Sequence, residues 1–434
     1  MGEIIKPEGY IPRVVDARVE RLLRVFGAVE IAGAKWCGKT WTALQHAQSV
    51  SFVDRTLALA QDDPSAMLMG DRPHVIDEWQ RVPAIWDWVR HECDRTRGLR
   101  GAWILTGSSM PLRHDAQSEG DLPSHSGAGR IGRVRMWPMS LAESGDSIDA
   151  VSLAGLFRGE FEPVQHVTTA SDLVRLACRG GWPEAIDMDP ADAQLVAREY
   201  LRLLRRESIP RAGKSGDTAQ RLLFALARNL GQAATYETLS ADMSDASASG
   251  GVTEATVASY LALFRDLYLL DDVPGWLPPA RSSKRVRTKP KRYLADPSLA
   301  VAALGMLPDA LFEDWQTFGL VFENLCVRDL QVYAHALENA ADIPVRYYRD
   351  DSGLEADVII ELADGRWAAL EIKTSERKAD VAVERLRALR AKLSSNGAER
   401  VRPPEFMAVI TGVSEYARQV EEGLYVIPIT CLGA

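Results

Sequence analysis

Cysteine is scarce in this sequence, five in 434 residues, and Cys37, Cys93, Cys178, Cys326 and Cys431 are scattered with no C-x-x-C pair among them. That excludes a disulfide framework and a cysteine-built zinc site, and it reads as the reduced thiols of a cytoplasmic protein. Histidine is as thin, seven dispersed residues, which leaves no His-built metal centre. No apolar run is long enough to cross a bilayer, so no membrane partner is expected. The opening MGEIIKPEGY lacks the apolar core of a secretory signal, and Lys6 stands where a myristoylation signal needs Ser or Thr. A net charge of −9 argues against a surface coated throughout in nucleic acid. What is present, 46% hydrophobic and 26% charged residues, describes an ordinary globular chain long enough for roughly two to four domains.

One stretch carries specific chemistry. Residues 33–40, GAKWCGKT, fit the phosphate-cradling pattern G-x-x-x-x-G-K-[ST], with Gly33, Ala34, Lys35, Trp36, Cys37, Gly38, Lys39 and Thr40 forming the loop. The glycines let successive backbone N–H groups turn inward on a phosphate, Lys39 reaches the β- and γ-phosphates, and the Thr40 hydroxyl binds the accompanying Mg²⁺. VEIAG before it reads as a buried strand and WTALQHAQSV after it as a helix. The expected ligands are therefore a nucleotide and Mg²⁺.

Strand-like runs follow, VSFVD, HVIDE, AWILTG and RVRMWPM, separated by helical material. That alternation predicts a parallel sheet covered on both faces, with its ligand at the carboxyl ends of the strands. Asp77 and Glu78 end one run. Asp77 is placed to hold Mg²⁺ through its water shell, and Glu78 to polarise the water that attacks the γ-phosphate. Thr106 and Ser108 end another, where a polar side chain either senses the γ-phosphate or closes a Gly-Ser turn. A polar loop, His114–Gly129, then delivers the chain to Arg130, a candidate arginine finger acting in cis or from a neighbouring subunit of a homo-oligomer. Arg133 is the second candidate, and a surface salt bridge is the competing reading of both.

The order GAKWCGKT, HVIDE, AWILTGSS and GR…MWPMSLAE resembles the bacterial and archaeal AAA-type ATPases fused to a C-terminal domain of unknown function. The likeness extends to GGWPEAI (Gly180–Ile186) and to LEIKTS. The run Pro138–Glu143, P-M-S-L-x-E, is its most distinctive part. The family loop usually reads G-P-R-Q-x-G-K-T, and Ala34, Lys35 and Trp36 depart from it at positions that carry no phosphate chemistry. The resemblance implies an AAA-like ATPase core.

From Val151 to about Lys214 apolar residues recur at helical spacing, predicting a helical lid. Three further helical patterns and a strand-like segment lead into RSSKRVRTKPKR, seven basic residues and no acidic one between Arg281 and Arg292. That order suggests a winged helix, with residues 281–292 gripping DNA phosphates or forming a solvated loop. A second basic stretch holds Arg202, Arg205, Arg206, Arg211 and Lys214.

Near the end, EADVIIEL and RWAALEIK read as strands joined by the turn Ala363–Asp364–Gly365. Asp357 lies on the first; Glu371 and Lys373, two apart, project from one face of the second. Asp357 and Glu371, with Glu323 from an upstream helix, form a candidate Mg²⁺ set, and Lys373 would orient a hydrolytic water. The arrangement resembles the D…E-x-K nucleases of the restriction-endonuclease and junction-resolvase type.

The expected fold is α/β: an AAA-type P-loop core over 1–150, a helical lid over 151–214, a winged-helix-like segment over 215–300 and a restriction-endonuclease-like α/β domain over 301–434. The expected function is ATP binding and hydrolysis coupled to action on DNA through the nuclease-like domain. The alternative is a nucleotide-switched interaction protein in which that domain is an inactive platform.

Overall fold

In the computed structural model, which describes residues 5–96, 98–109, 126–244, 252–277, 289–395 and 401–434, the apolar runs around the phosphate loop become five parallel strands. They are β1 (Ala28–Gly33), β2 (Ser49–Phe52), β3 (His74–Asp77), β4 (Trp103–Gly107) and β5 (Ile131–Met136), ordered β2-β3-β4-β1-β5. Successive side chains take opposite faces. Val29, Ile31, Val75, Ile104 and Val134 meet Val19 and Leu22 of helix Asp16–Val25 and Ala43 of helix Lys39–Gln45. Ala28, Ile76, Trp103 and Leu105 turn the other way, onto Trp79 and onto Ile85, Trp86 and Val89 of helix Ala84–Arg95. Covering both faces is why Val75–Ile76 of β3 and Trp103–Leu105 of β4 are apolar on both sides. They lie in one compact unit made of residues 1–138, 203–216 and 261–269.

A second unit comprises residues 139–202, 217–260 and 270–434. Its strands are β6 (Val151–Ser152), β7 (Val164–Thr168), β8 (Leu270–Val273), β9 (Lys291–Leu294), β10 (Ala340–Arg349), β11 (Glu355–Leu362), β12 (Trp367–Ser375), β13 (Phe406–Glu421), β14 (Leu424–Pro428) and β15 (Leu432–Gly433). The main sheet runs β10-β11-β12-β13-β14, antiparallel through β12 and parallel from there on. Gly365, at φ 84°, supplies the left-handed residue that folds β11 back into β12. Helix Ala379–Ser395 covers this sheet with Ala379, Ala382, Val383, Leu386 and Leu389, a three-and-four spacing that packs on Ile359, Ala369 and Val409. Helix Trp315–Ala336 is buried along most of its length. No helix among the described residues is long and apolar enough to cross a membrane.

The segment expected to be a helical lid differs. Helices Ala170–Arg179 and Pro190–Leu203 follow the apolar spacing, but VQHVT forms β7, which pairs antiparallel with β13. Five residues of strand between stronger helical signals were too short to read, and the partner that stabilises them lies about 250 residues away. Helices Gly216–Arg228, Tyr236–Met243 and Glu254–Asp266 are followed by the antiparallel pair β8–β9, the element order of the winged-helix expectation. Residues 281–288 of the basic run lie outside the described residues, as do 114–125 of the loop before Arg130.

Two runs singled out by resemblance prove architectural. Ser140 N–H donates to Glu143 at 2.8 Å, Leu141 N–H to Asp329 at 3.0 Å, and Met139 N–H to the Gly181 carbonyl at 2.6 Å. Gly181 N–H donates in turn to Asp296, which also takes Arg328, and Arg328 pairs with Asp329 at 2.6 Å. Burial lifts the Asp329 carboxyl to about 6 against the pull of Arg328. A Cβ at Gly180 would lie 2.2 Å from Asp296, and one at Gly181 2.0 Å from the Met139 carbonyl, so both positions need glycine. P-M-S-L-x-E and GGWPEAI are thus tied into a buried polar ring closed by Asp296, Arg328 and Asp329.

Candidate functional site

Parallel strands in register bring the ends of β1, β3 and β4 side by side, with Asp77 opposite Thr106 and Ala32 opposite Gly107. Thr40 Oγ1 donates to Asp77 Oδ1 at 2.8 Å, and Thr106 Oγ1 donates to the same oxygen at 2.6 Å. The Glu78 N–H donates to Thr106 Oγ1 at 3.2 Å. A hydroxyl and a carboxylate oxygen in contact are hard donors of the kind Mg²⁺ accepts beside phosphate oxygens and water, so these residues fit the ion. Glu78 itself has φ 59° and ψ 42°, a left-handed conformation that costs a non-glycine residue about 1–3 kcal/mol. Its carboxylate accepts from Ser108 Oγ at 3.0 Å and from Gln80 Nε2.

The loop is shaped by groups outside the motif. Gly38 has φ 100° and Trp36 φ 66°. A Cβ at Gly33 would sit 2.2 Å from the Met136 carbonyl, so only glycine lets β1 end so close to β5. The buried Arg13 donates through Nη1 to the Cys37 carbonyl at 2.8 Å and through Nη2 to the Trp137 carbonyl at 2.9 Å. In a trans peptide C=O and N–H point apart, so an outward Cys37 carbonyl turns the Gly38 N–H toward the loop. Lys39 Nζ lies on the Ala34 carbonyl at 2.8 Å. Sequence reading missed Arg13 and Gln80; the available signals were an arginine inside the apolar IPRVV and the third polar residue of DEWQ.

Arg130 is not brought to this site within the subunit. Ile131 pairs with Ala28, so Arg130 stands at the opposite end of the strands from Gly33, about 17 Å along β1. Its guanidinium is half exposed and pairs with Asp94 at 2.6 Å, the competing reading. Arg133 pairs with the buried Glu30 at 3.1 Å and lies over the Trp86 ring at 4.8 Å. Burial raises the Glu30 carboxyl against that cation.

In the second unit, the turn between β11 and β12 does bring Asp357, Glu371 and Lys373 together. Lys373 Nζ contacts Glu371 at 2.5 Å, Asp357 at 3.4 Å and the Ile372 carbonyl at 2.9 Å, while Ile372 N–H donates to Asp357 at 2.8 Å. A second ammonium, unforeseen, is buried in the same cluster: Lys291 Nζ lies 2.9 Å from Glu355, 3.5 Å from Glu323 and 3.6 Å from Asp357. Tyr293 Oη donates to Glu323 at 2.7 Å. Burial and the neighbouring Asp357 push Glu323 and Glu371 up to about 7, opposed by the lysines. Among the described residues no group of three His, Cys, Asp or Glu is arranged to hold a metal. Ammonium ions take the positions between Glu323, Asp357 and Glu371, so the expected Mg²⁺ set does not fit the ion as arranged.

Lys291 and Arg292 also alter the reading of the basic run. Arg292 is buried, 3.5 Å from Asp272, and donates to the Ala234 carbonyl at 2.7 Å. Of the described charges of 281–292, Lys291 and Arg292 thus point inward, while Lys289 is exposed.

A family model described as AAA domain matches residues 26–145. Two others, each described as a domain of unknown function, match residues 170–310 (DUF8612) and 318–432 (DUF4143). Residues 26–145 thus match an AAA domain, which supports nucleotide binding at the phosphate loop. Among solved structures, a Walker-type ATPase of Pyrococcus abyssi is similar at 14% identity over 69% of this chain and 97% of that one, with a TM-score of 0.42. A replication initiator DnaA bound to AMPPCP and single-stranded DNA is similar at 12% identity over 60% of this chain and 92% of that one, with a TM-score of 0.29. Both are too distant for their partners to be transferred. No curated protein matches this chain in sequence.

Proposed function

We propose that this protein hydrolyses ATP in its first domain and that its C-terminal domain serves as a nucleotide-switched binding platform. The observation that carries the hydrolase reading is the convergence of Thr40, Asp77, Thr106 and Glu78 beside the phosphate loop. Lys39 and the loop N–H groups bind the phosphates, and Thr40 with Asp77 would hold Mg²⁺, which neutralises phosphate charge. Glu78 takes the proton of the attacking water. Lys39→Ala should abolish nucleotide binding, whereas Glu78→Gln should keep binding and lose hydrolysis. Wild-type rates in both variants would refute this reading.

The platform reading rests on Lys291 and Lys373 neutralising the carboxylates that a nuclease would give to a metal. A second reading, Mg²⁺-dependent action on DNA, is favoured by the meeting of Asp357, Glu371 and Lys373 on adjacent strands. Incubating the full-length protein with ATP and Mg²⁺ against duplex, single-stranded and junction DNA separates the two. Cleavage lost in Asp357→Ala supports the nuclease; intact DNA throughout supports the platform. A catalytic Arg130 would require a homo-oligomer that presents it to a neighbouring loop.

A further inference from the structure

The conformation around Glu78 shows a clamp that phosphate binding by itself does not demand. Gln80 Nε2 donates to Glu78 Oε2 and lies 3.3 Å from Ser108 Oγ, which donates to that same carboxylate oxygen at 3.0 Å. Reversing the carboxamide would set its oxygen against the carboxylate, so the nitrogen must face Glu78. The consequence falls on the other end. Gln80 Oε1 is buried and has no hydrogen-bond partner among the described residues. An unsatisfied buried acceptor is destabilising, and Glu78 adds its left-handed backbone to that cost. Room for the arrangement depends on Gly107, where a Cβ would come within 3.2 Å of Gln80 Oε1 and 3.1 Å of Trp79 Nε1. The side chain thus keeps its grip on Glu78 at the expense of its own hydrogen bonding, which packing alone does not explain.

We propose that Gln80 is a positioning residue for ATP hydrolysis, holding the Glu78 carboxylate with Ser108 in the orientation that receives the proton of the attacking water. The inference rests on the hydrolase reading. In the step it serves, the water oxygen bonds to the γ-phosphorus and its proton passes to Glu78. The bond from the γ-phosphorus to the bridging oxygen breaks, and ADP and phosphate leave. Gln80 contributes no atom to this exchange; it acts through Glu78.

The test is a double-mutant cycle on the full-length protein, with steady-state ATPase rates and titration of a fluorescent ATP analogue. Gln80→Leu should lower kcat ten- to a hundredfold and leave the nucleotide Kd within twofold. Gln80→Glu, of the same size but with an acceptor for the donor, should lose a similar factor, which a packing role would spare. In a Glu78→Gln background, Gln80→Leu should change the residual rate by less than twofold, because the group it positions is gone. The proposal is overturned if Gln80→Leu keeps kcat within threefold of wild type, if the two losses multiply, or if Kd rises in step with the loss of rate. A Glu78→Gln variant as active as wild type would instead remove the hydrolase reading beneath it.

Discussion

Replacing Lys291 with methionine tests the charge arithmetic of the C-terminal cluster. Four carboxylates (Glu323, Glu355, Asp357, Glu371) face two ammonium groups, so the ionised cluster carries a net charge of −2, and the variant −3. At an effective dielectric of about 20, each of the three contacts of Lys291 contributes about 5 kcal/mol of gross attraction. Most is offset by taking the charges out of water, and truncating one partner of a buried pair costs about 3–5 kcal/mol net. That cost must depend on pH. Glu323 and Glu371 are raised to about 7 from an ordinary 4.5. A carboxyl raised in the folded state lends stability that is complete below its unfolded value and is lost as pH climbs through the folded one. Lys291 is one of the groups that holds Glu323 down, so the variant loses more stability, over a range that extends to higher pH. The expected penalty is about 3–5 kcal/mol at pH 8.5 and smaller at pH 5, where Glu323 is protonated and Lys291 serves Glu355 and Asp357 alone. Amide hydrogen exchange of peptides from β11 and β12 reads this directly, since the larger figure means roughly a hundred- to a few-thousand-fold faster exchange after correction for intrinsic rate. A penalty that does not vary with pH, or one below about 1 kcal/mol at pH 8.5, would refute the reasoning.

Three further outcomes are expected. Arg13→Ala should raise the nucleotide Kd at least tenfold and cost about 2–4 kcal/mol, because two buried carbonyls lose their donor; Arg13→Lys should restore only part, since an ammonium cannot fork between them. An unchanged Kd would separate Arg13 from the loop. Arg130→Ala should leave kcat within twofold at dilutions where the chain is monomeric, as its pair with Asp94 is exposed and screened by water; a large loss there would contradict its place at the far end of β5. Asp329→Ala should destabilise the second unit by about 3–5 kcal/mol, leaving Arg328 with Asp296 as its one carboxylate partner and the Leu141 N–H without its acceptor, and urea unfolding that matches wild type would show the buried ring to be dispensable.

How much of this could be read beforehand follows the range of each interaction. The strand before the loop, the helix after it and the strand ending in Asp77 depend on neighbours within a few residues, and their apolar periods were legible. So was the hairpin that sets Asp357 beside Glu371 and Lys373, because one short turn joins its strands. The strand β7 was not, since VQHVT acquires a partner only from β13. Lys291 looked like one more cation of a basic surface run, and nothing local says that β9 buries it among Glu323, Glu355 and Asp357. A role for Arg130 within its own subunit was misread for a simpler reason, the direction of a strand: sequence proximity to β5 does not say at which end of the sheet a residue stands.

Taken alone, the sequence determined the phosphate loop and its chemistry. Gly33, Gly38, Lys39 and Thr40 act at fixed spacing along one stretch of backbone, and Asp77 and Glu78 need only a parallel strand to arrive beside them. Tertiary structure decided which groups hold that machinery in place and which charges meet where water is excluded. Arg13 turning the Cys37 carbonyl outward, Gln80 gripping Glu78 from across a left-handed turn, and two lysines closing a carboxylate cluster are choices made by packing. The sign and strength of a charge's effect depend on burial and on partners distant in sequence, and neither exists until the chain has folded.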